Sequence, residues 1–212
     1  AIDVRFMKSN TETADAVFAQ SAGQLQAGGG ISVVGGRVRL EGGTVSGNIR
    51  LFGPDLSVAD SIGAGGEVFV LGASRLRGNA STTFTVHALA DVSNFTVLAT
   101  DTNSVNVGRI VLDSVRADRS CRLECPGGLR NEASGIIEIV PGAGGDRAIN
   151  GTLVNLGKIL CPNHSAVFTG TYGAAGGIVE GNVSFFNATV IPTAATPQMT
   201  ELKLYGGDTA LK

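Results

Sequence analysis

The stretch GTVSGNIRL, residues 43–51, is closely matched by GIVEGNVSF at residues 177–185. In both copies a valine stands two residues before a Gly-Asn pair, and an apolar residue follows the pair directly. Residues 76–79, LRGN, keep the same pair two residues after an apolar residue. The asparagines of the three copies are 31 and 103 residues apart, so no single period relates them. The match therefore indicates recurring glycine-rich segments, spaced irregularly.

Apolar and polar residues alternate within both copies, which is the period of a β-strand. In the first copy the alternation predicts Val45, Gly47, Ile49 and Leu51 on the inner face, with Thr44, Ser46, Asn48 and Arg50 outside. In the second copy it predicts Val179, Gly181, Val183 and Phe185 on the inner face, with Glu180, Asn182 and Ser184 outside. Asn-Gly occurs once and Asp-Gly is absent, which favours strands joined by wider turns over tight hairpins.

The composition is typical of a folded β-rich protein. The 212 residues are 43% hydrophobic and include 31 glycines, whereas only 16% are charged and tryptophan is absent. That length and apolar content suffice for a core, and the glycines favour many turns between short strands. The formal charge of −2 predicts no general attraction to nucleic acid, and no apolar run is long enough to span a membrane.

One segment has helical periodicity. Residues 11–27, TETADAVFAQSAGQLQA, predict a short N-terminal helix with an apolar stripe of Ala14, Val17, Phe18, Ala22 and Leu25. From residue 31 onward the period changes to two, so the remainder is expected to be all-β.

The segments GGTVSGNIRL, NGTLVNLGKI and GGIVEGNVSF resemble the loose repeats of right-handed parallel β-helices, such as autotransporter passengers and filamentous haemagglutinin-like adhesins. The resemblance covers most of residues 28–190 and implies an all-β fold, a parallel β-helix (β-solenoid) with a short N-terminal helix. Coils of about 20–25 residues would give roughly eight turns. ADAVFAQSAGQLQAGGGISVVGG is also similar to the start of pectate-lyase-like β-helices, but the aspartate-rich segment usual before their helix is missing. An antiparallel β-sandwich or jelly roll is the alternative architecture.

These signals divide the chain into three regions. Residues 1–30 are predicted to form a helical cap, residues 31–191 the β-solenoid, and residues 192–212 a C-terminal linker or interaction strand.

Six Asn-X-Ser/Thr sequons exceed the number that the composition predicts by chance. They start at Asn79, Asn94, Asn150, Asn163, Asn182 and Asn187. Occupied sequons would make the chain a secreted glycoprotein; alternatively, asparagine and threonine are simply common in the turns of β-solenoids.

Three cysteines add a second indication of environment. Cys125 and Cys161 are each followed by proline, and a disulfide between them is expected if the two turns stack in neighbouring coils. A local Cys121–Cys125 bridge is the alternative. A Cys₃His zinc site that adds His164 is a further alternative, but disulfides suit an extracellular setting better, so we predict no metal and no cofactor.

The charged segment at residues 109–125 is the candidate for chemistry. Asp113 and Asp118 could act as acid and base on a glycosidic bond, with Arg116 assisting. The simpler interpretation is a solvated face of paired charges, and His87 is expected to be a surface or satisfied residue. No P-loop, nucleophile elbow or HExxH pattern occurs.

The sequence as a whole predicts a non-enzymatic, glycosylated structural or adhesive protein of a surface fibre or appendage, located outside the cell or on its surface. Expected partners are further copies or neighbouring subunits of the fibre, and surface glycans. The alternatives are a polysaccharide lyase or hydrolase, a phage-spike β-helix, and a β-sandwich binding module.

Overall fold

The fold is a parallel β-solenoid. The structure, a computed structural model, describes residues 2–5, 17–60, 62–63, 65–80, 84–91, 95–192, 198–199, 202–205 and 210–211. Every strand pairing in these ranges is parallel, which confirms the β-solenoid and excludes the antiparallel sandwich for the described part of the chain. The described ranges contain no helix that could span a membrane.

Twenty strands make up the solenoid. The first ten are β1 (Ile2–Arg5), β2 (Val17–Gln20), β3 (Gln24–Val34), β4 (Arg37–Leu40), β5 (Thr44–Phe52), β6 (Asp55–Val58), β7 (Gly66–Leu71), β8 (Ala73–Arg77), β9 (Phe84–Ala90) and β10 (Phe95–Thr100). The others are β11 (Ser104–Asn106), β12 (Arg109–Ser114), β13 (Ser120–Asn131), β14 (Ile136–Ile139), β15 (Arg147–Asn155), β16 (Lys158–Ala174), β17 (Ile178–Pro192), β18 (Gln198–Met199), β19 (Leu202–Tyr205) and β20 (Ala210–Leu211).

The strands form three parallel stacks, here called sheets A, B and C. Sheet A stacks β1, the second halves of β3 and β5, β7, β9, β12, β14, the beginnings of β16 and β17, and β18. Sheet B stacks β2, β4, β6, β8, β10, the beginnings of β13 and β15, the middles of β16 and β17, and β19. Sheet C has two strand-paired parts: the first halves of β3 and β5, and then β11 with the ends of β13, β15, β16 and β17, and β20. Between β5 and β11 the described residues form only isolated parallel bridges, Gly43 with Ile62 and Ala80 with Asn106.

Residues 31–192 make about eight turns, as the sequence predicted. From β3 onward, partners in sheet A are between 18 residues apart, as for Ile31 and Ile49, and 27 residues apart, as for Arg109 and Ile136. The longer turns carry loops between sheets A and B. This variation explains why the recurring Gly-Asn pairs have no common period.

The core is a column of apolar side chains that face inward from all three sheets. Val86, Ile110 and Ile137 occupy consecutive register positions in sheet A, and each is at most 1% exposed. Each fully buried aliphatic side chain contributes about 1.5–3 kcal/mol to stability. Within the two Gly-Asn copies, alternation assigned six inward positions correctly: Val45, Ile49, Leu51, Val179, Val183 and Phe185 are buried.

The two copies of the Gly-Asn motif form corners between sheets. Val45 and Val179 are buried and both asparagines are exposed, as predicted, but Gly47 and Gly181 lie at the corners instead of facing inward. Their φ angles are 91° and 98°, in the left-handed region that favours glycine. A Cβ at Gly181 would overlap the Cys161 carbonyl oxygen of the preceding turn. The motif therefore marks where the chain changes sheet.

A ladder of three buried asparagines supports the corner between sheets C and A. The Nδ2 of Asn106 donates to Oδ1 of Asn131 at 2.7 Å, and Asn131 donates in the same way to Asn155 at 2.7 Å. Asn155 ends the ladder by donating to the Tyr172 hydroxyl at 3.2 Å. Each asparagine also donates to a backbone carbonyl of the next turn. The ladder supplies hydrogen-bond donors to the carbonyls of Ile136, Lys158 and Ile178, the first residues of β14, β16 and β17.

The predicted N-terminal helix is wrong for residues 17–27. These residues form β2 and the start of β3, which pair in register with β4 and β5. Phe18 and Leu25, placed on one helical stripe by the prediction, instead pack against the core from two successive strands. Residues 11–16 lie outside the described residues. At the other end, β18, β19 and β20 pair with β17.

We predict that Asn131→Leu lowers the free energy of unfolding by about 2–4 kcal/mol, because each buried polar group left unpaired costs about 1–3 kcal/mol. The substitution removes the acceptor for Asn106 and the donor for Asn155 and for the Lys158 carbonyl. Chemical denaturation measures the change. Asn182→Ala, at an exposed corner, is the control and should change stability by less than about 0.5 kcal/mol. Equal effects of the two substitutions would contradict the role of the ladder.

Candidate functional site

A histidine held between two carboxylates is the most distinctive polar cluster on the outer surface. His87 lies on β9, Glu67 on β7 and Asp113 on β12, so three consecutive turns of sheet A supply the three side chains. Nδ1 of His87 lies 3.0 Å from Oε1 of Glu67, and Nε2 lies 3.2 Å from Oδ2 of Asp113. The cluster runs diagonally across the three strands: Glu67 is the register partner of Thr85, two residues before His87, and Asp113 is the partner of Leu89, two residues after it.

The three side chains differ in exposure. Glu67 is 40% exposed, whereas His87 is 15% and Asp113 17% exposed. Phe69 shields the imidazole on one side, with ring centroids 4.9 Å apart. Asp113 also accepts a hydrogen bond from the Ser114 backbone N–H at 2.6 Å, which fixes its orientation. The cluster is thus anchored at Asp113 and open to solvent at Glu67.

Two adjoining depressions make a groove along sheet A. The first has a volume of about 500 Å³ and is lined by residues that include Asn48, Arg50 and Phe69. The second, of about 290 Å³, contains the histidine cluster together with Arg109 and Glu138. Gly65 and Glu67 line both depressions, so Glu67 stands where they meet.

The charges of the groove are largely paired. Arg50 contacts Asp91 at 2.8 Å, and Arg109 forms an ion pair with Glu138. Glu67 and Asp113 are the acidic residues of the groove that are not paired with an arginine there, and their charged partner is His87.

The cluster shifts the protonation of its members. Burial disfavours the charged imidazole, but hydrogen bonds and charge interactions with Asp113 and Glu67 outweigh it and raise the pKa of His87 above 6.5. Burial likewise opposes ionisation of Asp113, yet the hydrogen bonds from His87 and Ser114 lower the pKa of this carboxyl below 3.8. Both shifts favour a protonated His87 beside an ionised Asp113.

The predicted pair of Asp113 and Asp118 is not brought together. Asp118 lies in the corner loop between β12 and β13, is 64% exposed, and contacts Arg116 at 3.5 Å and Arg119 at 3.6 Å. Asp113 instead faces into the groove from β12. The prediction that His87 is a satisfied surface residue agrees with its two carboxylate contacts. Glu67 was not predicted, because finding it requires the register between turns of unequal length.

The expected stacking of Cys125 with Cys161 is not observed. Cys125 lies opposite Gly151 in sheet B, whereas Cys161 lies opposite Gly181 at the corner between sheets A and B. The two Cys-Pro turns therefore occupy different corners, and neither they nor Cys121 form a disulfide in the structure.

All three cysteines are buried thiols, which is consistent with a structural role. Burial raises the pKa of Cys121 and of Cys125 to about 12, and that of Cys161 to about 11. Such thiols are poor nucleophiles and poor metal ligands at neutral pH. Among the described residues no group of His, Cys, Asp and Glu is arranged to hold a metal ion, and the side chain of His164 lies outside them.

The sequons differ in accessibility. Asn79, Asn182 and Asn187 are exposed. Asn150 is half-buried: its Nδ2 donates to Glu124 at 2.8 Å and its Oδ1 accepts from Thr169 at 2.5 Å. Asn94 and the side chain of Asn163 lie outside the described residues.

Comparison with known proteins identifies no relative. No family model matches the chain, and no curated protein or solved structure is significantly similar to it.

Proposed function

We propose that this protein is a non-enzymatic structural or adhesive element of an extracellular fibre or surface appendage. The observation that carries the proposal is the parallel stack of about eight turns around one apolar core. Backbone hydrogen bonds between turns run along the solenoid axis, so a force along that axis loads many bonds at once. A solenoid of this kind suits the role of a stiff, protease-resistant spacer.

The surface is compatible with glycosylation. Asn182 and Asn187 lie at exposed positions of β17, and Asn79 is exposed two residues after the end of β8. A glycan at these positions projects into solvent and leaves the core intact. At Asn150 a glycan would replace the Nδ2 hydrogen that is donated to Glu124, and would lie close to Thr169 of the neighbouring strand.

We predict that protein from its natural source carries N-linked glycans at Asn79, Asn182 and Asn187 but not at Asn150. Peptide mass spectrometry, with and without enzymatic removal of N-glycans, measures the occupancy at each position. Asn150 serves as the internal control, because it has the same sequon but a half-buried, hydrogen-bonded side chain. Bare asparagines at all three exposed sequons would overturn the proposal of a glycosylated extracellular protein.

The groove favours a second candidate function, the cleavage of a polysaccharide. The half-buried carboxylate of Asp113 and a protonated His87, 3.2 Å apart, supply a base and an acid in one depression. The adjoining depression around Arg50 and Phe69 would hold further sugar units. This candidate assigns the chemistry to Glu67, His87 and Asp113.

If the groove is catalytic, Asp113→Asn should reduce the release of new chain ends from a panel of neutral and acidic polysaccharides at least a hundredfold, within the range of general acid–base catalysis. Asp118→Asn is the matched control, because Asp118 is exposed and outside the groove. Activity that survives Asp113→Asn, or no cleavage of any polysaccharide by the unaltered protein, would exclude this candidate.

A further inference from the structure

The geometry of the His87 cluster determines its protonation. Both ring nitrogens of His87 face carboxylate oxygens, at 3.0 Å and 3.2 Å. An ionised carboxylate only accepts hydrogen bonds, and a neutral imidazole has a single N–H to donate. The two contacts can both be hydrogen bonds only if the cluster holds an additional proton.

We propose that His87 is an imidazolium at neutral pH, and that loss of its proton releases Glu67 and changes the shape and charge of the groove. While His87 is protonated, it ties Glu67 of β7 to Asp113 of β12 across three turns. Once the proton is lost, the ring can donate to one of the two carboxylates only.

The charged groups that act on the His87 ring are the carboxylates of Glu67 and Asp113. Phe69 contacts it from β7, Val111 lies opposite it on β12, and neither side chain is charged. The cations of this surface are engaged elsewhere, since Arg109 is paired with Glu138. Buried Arg147 donates to the carbonyls of Gly145, Asp146 and Pro141, and its charge acts on Asp113 from the inner side.

Asp113 keeps the remaining hydrogen bond, and Glu67 is released. The Ser114 N–H fixes the orientation of Asp113, whose side chain is only 17% exposed. If Asp113 lost the hydrogen bond from His87, water could not easily replace it at this enclosed position. Glu67 is 40% exposed and gains full hydration by turning outward. Because Glu67 lines both depressions, its movement alters the point where they meet and leaves its charge unpaired.

The direction of the pH effect follows from the raised pKa of His87. The stabilisation from the bridge is fully present below 6.5, the pKa of an ordinary histidine, and is lost as the pH rises through the higher value of the folded protein. Glu67 is therefore held in the bridge below that value and is free to turn outward above it.

Nitrogen NMR of the histidine rings tests the protonation state. The chain has two histidines, so a His87→Gln variant assigns the signals. We expect both ring nitrogens of His87 to carry protons at pH 7, with a titration midpoint above 6.5. Glu67→Gln should lower this midpoint, whereas Glu180→Gln, at an exposed position of β17, should not. A single-proton tautomer at pH 7 would overturn the proposal.

Double-mutant cycles test the release of Glu67. Unfolding of the unaltered protein, His87→Gln, Glu67→Gln, Asp113→Asn and the two double variants is measured below and above the midpoint. We expect the coupling between His87 and Glu67 to vanish above it, whereas the coupling between His87 and Asp113 persists. Backbone amide spectra check that each variant is folded. Persistence of the Glu67 coupling, or equal loss of both couplings, would contradict the release. The outcome is independent of whether the proposed structural or catalytic function holds.

Discussion

Close stacking of each turn on the one before it is the constraint on which the rest of the structure depends. At the corners the chain must change direction while its backbone stays in contact with the turn below. Gly47 and Gly181 solve this at two different corners, because each adopts a left-handed φ and leaves no Cβ to overlap a carbonyl of the preceding turn. The repeated Gly-Asn motif therefore forms corners, and the alternating apolar residues around it supply the core.

Stacking also brings together polar side chains that are far apart in the sequence. His87 is 20 residues from Glu67 and 26 from Asp113, yet parallel register brings all three within hydrogen-bond distance. The asparagine ladder arises in the same way from side chains 25 and 24 residues apart. The ladder is enclosed and fully paired, which suits a structural role. The histidine cluster is on the surface and holds a proton, which suits a site that responds to its surroundings.

The sequence predicted what depends on local pattern and missed what depends on register. Alternation predicted the all-β class, and the resemblance of the glycine-rich segments to β-helix repeats predicted the parallel solenoid and its approximate number of turns. The helix failed because Phe18 and Leu25 satisfy a helical stripe and two successive strands equally well. The pairing of Asp113 with Asp118 failed because a corner loop separates them, and Glu67 was missed because the turns differ in length. The ladder did leave a signal in the sequence, in VNVGRI at residues 105–110 and VNLGKI at residues 154–159. In both segments the ladder asparagine is followed by a glycine two residues later and by an isoleucine four residues later.

The central claim is that turns of unequal length stack in parallel and in register. Interstrand nuclear Overhauser effects in a uniformly labelled sample test it most directly. The account predicts that Ile110 on β12 shows contacts to Val86 on one side and to Ile137 on the other, with the pattern of parallel strands. Short Hα–Hα contacts between antiparallel neighbours, or contacts of Ile110 with a different pair of strands, would contradict it.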